Sequence, residues 1–144
     1  MKKLALSVML MLLGAAALYA GTPSGWTADF AAAQDRARQE NHPVLVLFTG
    51  SDWCGWCVKL HKDVLSKPAF RKFAAAKKLE LVYLDFPRKS AMSAEEKQRN
   101  RKLAEEFKVR GFPTTVLLGA DGRELGRISG FAKDYVARLS KMLK

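Results

Sequence analysis

The apolar positions of this 144-residue chain change period several times, and each change marks an element. Trp26, Phe30, Ala33 and Ala37 recur at helical spacing. They predict an amphipathic helix over 28–40, started by Thr27 or Asp29 and stopped by Asn41-His42-Pro43. The run Val44-Leu45-Val46-Leu47-Phe48 has no polar member and reads as a strand covered on both faces. A helix is expected to open near Cys54 and run to about Leu65, where Ser66-Lys67-Pro68 interrupts it. Phe70 and Phe73 anchor a further helical stretch ending near Lys78, and 79–86 reads as a second buried strand. The polar stretch 87–100 begins as a solvated connection, and a charged helix over about 93–107 turns Leu103, Ala104 and Phe107 inward. Two strands, 114–118 and 124–128, flank the hairpin signal Ala120-Asp121-Gly122-Arg123. Phe131, Tyr135, Leu139 and Leu143 form the stripe of a last helix.

This order predicts an α/β fold. Helix-linked early strands form a parallel pair, and the late hairpin adds antiparallel strands. The expected result is a small mixed sheet flanked by helices, with a C-terminal hairpin and helix. Phe30, Phe70, Phe73, Phe107 and Tyr135 are assigned to its core.

The first 20 residues follow a different pattern. Lys2 and Lys3 precede an apolar run from Leu4 to Leu13, and small residues follow. This reads as a secretory signal peptide over 1–20, cleaved after Ala17 or after Ala20, with the mature domain over 21–144. The apolar stretch is short for a membrane span. The expectation is therefore an exported, periplasmic or otherwise extracytoplasmic domain with no stable membrane insertion after cleavage.

Composition narrows this further. Hydrophobic residues are 49% and charged residues 27% of the chain, which fits a folded domain and not a disordered one. The net charge of +11 does not point to nucleic acid. Basic and acidic residues interleave, as in Glu95-Glu96-Lys97 and Glu105-Glu106-Phe107-Lys108, which is the pattern of solvated helix faces.

The chain has two cysteines, Cys54 and Cys57, in the segment Trp53-Cys54-Gly55-Trp56-Cys57. A disulfide closing so small a loop stabilises little, so a structural staple is a poor reading. The pair lies where the first strand gives way to a helix. Unpaired N–H groups in a first helical turn favour thiolate at Cys54, and Cys57 is placed to attack a mixed disulfide formed there. Gly55 is expected to allow a tight turn, and Trp53 and Trp56 to supply apolar surface beside the sulfur.

The segment Phe-Thr-Gly-Ser-Asp-Trp-Cys-Gly-Trp-Cys-Val-Lys over 48–59 resembles the active-site region of thioredoxin-like proteins. Far downstream, Arg110-Gly111-Phe112-Pro113-Thr114 is similar to that family's cis-proline loop. The resemblance spans nearly all of the mature chain. It implies a thioredoxin-like fold and a thiol–disulfide oxidoreductase, either protein disulfide reductase or isomerase. Cys54 would attack and Cys57 resolve, as a redox-active disulfide. Trp53, Gly55, Trp56, Phe112 and Pro113 would meet substrate. Protein thiols or disulfides and a redox partner would be the partners, with no cofactor.

The chain also departs from the family. Typical thioredoxins have Gly-Pro between the cysteines, and this chain has Gly55-Trp56. Where thioredoxins commonly carry a buried Asp and a strand Lys, the best-matching positions are Leu47 and Leu81, which puts thioredoxin-type proton transfer in doubt. Asp52 and Lys59 are charges near the motif, read as solvated surface. Two rival readings remain: a metal carrier using Cys54, Cys57 and His61, and a non-catalytic module whose disulfide stays closed. His42 is given no role.

Overall fold

The computed structural model describes residues 21–144, so the expected leader over 1–20 lies outside the described residues. Within them the chain forms α1 (Phe30–Glu40), β1 (Val44–Thr49), α2 (Gly55–Leu60), α3 (Pro68–Ala76), β2 (Glu80–Asp85), α4 (Ala94–Glu106), β3 (Thr114–Leu118), β4 (Glu124–Ser129) and α5 (Tyr135–Met142). The strand order is β2-β1-β3-β4. β1 pairs parallel with β2 and antiparallel with β3, and β3 pairs antiparallel with β4. This is the mixed sheet that the sequence predicts.

β1 is central, and its unbroken apolar run follows from that position. Successive side chains of a strand point to opposite faces. Leu45 and Leu47 enter one core with Leu60, Leu65, Phe70 and Leu139, beneath α2, α3 and α5. Val44, Val46 and Phe48 enter a second core with Ala33 and Ala37 of α1, closed by Leu103, Ala104 and Phe107. Burial of each such side chain stabilises by about 1.5–3 kcal/mol, so a polar residue in place of any of Val44 to Phe48 would cost a full layer contact.

Local chemistry sets the helix ends. The Asp29 carboxylate accepts from the Ala32 N–H at 3.0 Å, which chooses Asp29 over Thr27 as the cap of α1. Asn41 takes the left-handed conformation with φ 55 and ends that helix. Ser93 and Glu96 form a reciprocal capping box at the start of α4. Gly122, with φ +84, supplies the turn between β3 and β4.

Four expectations are corrected. The helix after Cys54 is α-helical only to Leu60. A π-helical turn, His61–Leu65, follows, closed by the Ser66 N–H donating to the His61 carbonyl at 2.9 Å. Phe131 is outside the last helix, which starts at Tyr135. Phe30, Phe73 and Phe107 are only partly buried: Phe73 packs against the core that Phe70 and Tyr135 help to form, and Phe30 and Phe107 against the other. Asn100, read as part of a charged helix, is buried, and its Nδ2 donates to the Asp85 carbonyl at 3.0 Å. The segment before α1 also extends the sheet edge. The Thr27 N–H donates to Leu81 O at 2.9 Å and Tyr83 N–H to Thr27 O at 2.8 Å.

The topology brings three connections to one end of the sheet. Phe48, near the end of β1, lies between Leu84 of β2 and Thr114 of β3. β1 runs parallel to β2 and antiparallel to β3. The loop leaving β1 is therefore flanked by the loop leaving β2 and the loop entering β3, and these three loops carry the cysteine motif, 86–90 and 111–113.

Candidate active site

The motif is shaped first by Gly50. A Cβ there would lie 2.5 Å from Cε2 of Trp53, so only glycine lets the indole fold over the loop. The Gly50 carbonyl accepts the Cys54 N–H at 2.9 Å. Cys54 is the extended N-cap of α2, and its Sγ accepts from the Cys57 N–H at 3.3 Å. The Gly50 N–H in turn donates to Cys57 Sγ at 3.4 Å. The two cysteines are joined as a disulfide, with Cα atoms 5.2 Å apart. Both are nearly buried, Cys54 at 8% exposure and Cys57 at 3%. Exposure alone therefore separates them little.

Their surroundings separate them more clearly. Cys54 Sγ lies 3.6 Å from the Phe112 carbonyl oxygen. The Phe112–Pro113 peptide is cis, as the resemblance implies. Cys57 faces inward, beneath the Gly50 N–H. Gly55 has no positive φ and nothing within 4 Å of its Cβ position. It is an open position and not the tight turn expected.

The two tryptophans diverge. Trp53 is a wall: its Nε1 donates to the Phe86 carbonyl at 2.7 Å and its ring meets Phe112 edge-on at 5.9 Å. Phe86 packs on Phe112 at 4.9 Å, closing the aromatic cluster. Trp56 is 60% exposed and stacks on Phe131 at 5.9 Å, while Lys59 Nζ sits 5.3 Å from the Phe131 centroid. Phe131 was missed as a site residue because its spacing matched the last helix.

Asp52 is at the surface, as read, but its carboxylate is engaged. Its carboxylate accepts the backbone N–H groups of Arg88, Lys89 and Ser90 at 2.9, 2.8 and 2.7 Å, and the Ser90 hydroxyl at 2.8 Å. These bonds, led by that from Arg88, hold its carboxyl far below the ordinary range, against the opposing effect of partial desolvation. The 87–90 stretch is thus a pinned loop and not a loose connection. Lys59 pairs with Asp63 at 2.6 Å.

The expected charge-bearing strand positions are apolar and apart. Leu47 lies opposite Tyr83, and Leu81 opposite Leu45. The polar groups nearby belong to the end of β2. Asp85 accepts from the Ser51 N–H at 3.0 Å and the Ser51 hydroxyl at 2.5 Å. Burial, then the Asp85 charge, pushes the Tyr83 phenol up to about 12.

His61 does not join the cysteines. It is exposed and lines a separate groove with Trp26, Phe70 and Arg71. Among the described residues, the three donors brought together are Glu40, His42 and Glu80, and Arg36 already holds Glu80 at 3.0 Å.

A parallel pair extended by a hairpin, with Cys-x-x-Cys opening a helix opposite a cis-proline loop, defines a thiol–disulfide centre of the thioredoxin fold. A thioredoxin-like domain family matches residues 30–144, and the chain belongs to that family. It is 36% identical over 118 residues to the disulfide bond reductase DsbH of Chlamydia pneumoniae, covering 80% of this chain and 70% of that protein. It is 31% identical to the thioredoxin-related protein DsbJ of the same organism, over 82% of this chain but 34% of that longer protein. A solved structure of a DsbH oxidoreductase superposes with a TM-score of 0.72 at 33% identity, covering 88% of this chain and 92% of that one. The protein is a thiol–disulfide oxidoreductase.

Proposed function

We propose that the protein reduces disulfide bonds in other proteins outside the cytoplasm, with Cys54 as attacking thiol and Cys57 as resolving thiol. The observation that carries the assignment is the contact of Cys54 Sγ with the Phe112 carbonyl, while Cys57 lies behind it under the Gly50 N–H. The Cys57 N–H lies 3.3 Å from Cys54 Sγ in the disulfide form, and a donor held there after reduction would stabilise a Cys54 thiolate.

The Cys54 thiolate attacks one sulfur of a substrate disulfide. A Cys54–substrate disulfide forms, and the other substrate sulfur leaves as a thiolate that takes a proton. The Cys57 thiolate then attacks Cys54 Sγ and expels the second substrate thiol. Two electrons pass to the substrate, and the protein is left with the Cys54–Cys57 disulfide seen here. A dithiol donor restores it. Trp53, Gly55, Trp56, Phe112 and Pro113 form the surface that the substrate meets.

The name of the DsbH relative supports reduction as the direction. The apolar leader with Lys2 and Lys3 supports export, with cleavage after Ala17 or Ala20. Reduction of a protein disulfide with dithiothreitol as donor tests the activity. Turnover above the uncatalysed rate, abolished by Cys54→Ser, is expected; equal rates for both proteins would defeat the proposal. The N-terminal mass of the exported protein reports the cleavage site.

A further inference from the structure

The groove beside the cis peptide points to a preference in substrate. We propose that it selects polypeptides carrying acidic residues close to the cysteine under attack, an inference that rests on the oxidoreductase reading above. The groove, about 360 Å³, is lined by Lys108, Arg110, Phe112, Pro113, Arg127 and Gly130 among others, and no carboxylate lines it. It adjoins the chemistry, because Phe112 is the residue whose carbonyl lies 3.6 Å from Cys54 Sγ. A polypeptide that brings its sulfur to Cys54 therefore has this groove as an immediate neighbour.

Its three cations are not equivalent. Arg127 is committed: Nε and Nη2 donate to Glu124 at 2.6 and 2.7 Å, and Nη1 to the Phe107 carbonyl at 3.0 Å. Its charge is neutralised and it serves as wall. Lys108 and Arg110 are exposed and have no ion pair among the described residues. Elsewhere the basic surface is partly matched locally, as in Arg36–Glu80, Lys59–Asp63 and Arg138–Asp134. The backbone at Lys108, leading into Arg110, is fixed. The Lys108 N–H donates to Glu105 O at 3.0 Å and the Val109 N–H to Ala104 O at 2.8 Å. Two unmatched positive charges in the groove that adjoins the reacting sulfur attract carboxylates and repel lysines.

The spacing follows from chain geometry. Arg110 precedes Phe112 by two residues, at most roughly 7 Å along the chain. The favoured acidic side chain lies about two to four residues from the substrate cysteine.

The test compares the fully reduced protein on three peptide disulfides, identical except for Glu, Gln or Lys at the second and third positions beyond the cysteine, by stopped-flow. Uncharged 2-hydroxyethyl disulfide reports the cysteine chemistry alone. The Glu peptide should react about tenfold faster than the Lys peptide at low ionic strength, with the gap closing in high salt. The Glu-to-Lys rate ratio should invert in Lys108→Glu/Arg110→Glu. Equal rates for all three peptides, with 2-hydroxyethyl disulfide reduced normally, would overturn the groove assignment and leave the oxidoreductase reading intact. An unchanged ratio in the double variant would also overturn it. Failure to reduce any disulfide would defeat both.

Discussion

The guanidinium of Arg88 lies 3.6 Å from the centre of the Trp53 ring, one residue before the cysteine that meets Phe112. The indole is held on three sides, by Arg88, by the Phe86 carbonyl and by the edge of Phe112. The loop after β2 thereby fixes one wall of the site.

Arg88→Ala removes a cation–π contact worth about 0.5–2 kcal/mol and leaves the indole hydrogen bond in place. The expected outcome is a small loss of stability and a clear change in Trp53 fluorescence. Unaltered emission in that variant, measured against Trp53→Phe to isolate the signal, would show that the stacking does not persist in solution.

The Asp52 latch carries a pH signature. Its carboxyl is held far below the ordinary carboxylate range by the N–H groups it accepts, led by that of Arg88. A depressed folded value means that its stabilising contribution is complete above the ordinary carboxylate range. It declines as pH falls below that range and is fully lost once pH has passed below the much lower folded value. Amide exchange of Arg88, Lys89 and Ser90, corrected for intrinsic rates, should show unchanged protection from pH 7 to about pH 4. Asp52→Ala should remove the protection at every pH, and its retention would refute the latch.

Two glycines of the motif should behave oppositely. Gly50→Ala puts a methyl against the Trp53 ring and must displace it, whereas Gly55→Ala meets nothing within 4 Å. Thermal melts should show a marked drop for the first and little change or a slight gain for the second. Equal melting temperatures would mean that Trp53 does not lie over Gly50.

Tyr135 is fully buried and shares a 2.7 Å hydrogen bond with Thr115. Tyr135→Phe leaves the Thr115 hydroxyl without that partner, at a cost of about 1–3 kcal/mol in denaturant melts. Burial also raises the phenols of Tyr83 and Tyr135 above their ordinary value. A raised folded value gives stability that is complete below about pH 10 and declines as pH rises beyond it, so alkaline unfolding should begin there.

The features legible in the sequence were those encoded within a few residues. The apolar run of β1, the start of α1 at Thr27 or Asp29, the Gly122 turn and the strand–cysteine–helix junction each depend on neighbours in the chain. The Phe112–Pro113 loop was readable only through resemblance. What escaped depends on distant partners. Asp52 meets residues 36 to 38 positions away, and Asn100 bonds to a strand end 15 positions back. Phe131 continued the spacing of Tyr135 and Leu139, so periodicity placed it in a helix that begins after it. His61 follows Cys57 at helical spacing, but it lies on a different surface.

The central claim is the division of labour between Cys54 and Cys57, and a trapping experiment tests it most directly. Cys57→Ala lacks the resolving thiol, so incubation with an extracytoplasmic protein extract should accumulate covalent complexes that dissolve on reduction and carry the partner at Cys54 by mass spectrometry. The matching Cys54→Ala protein should trap little. Trapping by Cys54→Ala alone, or by neither protein, would contradict the account.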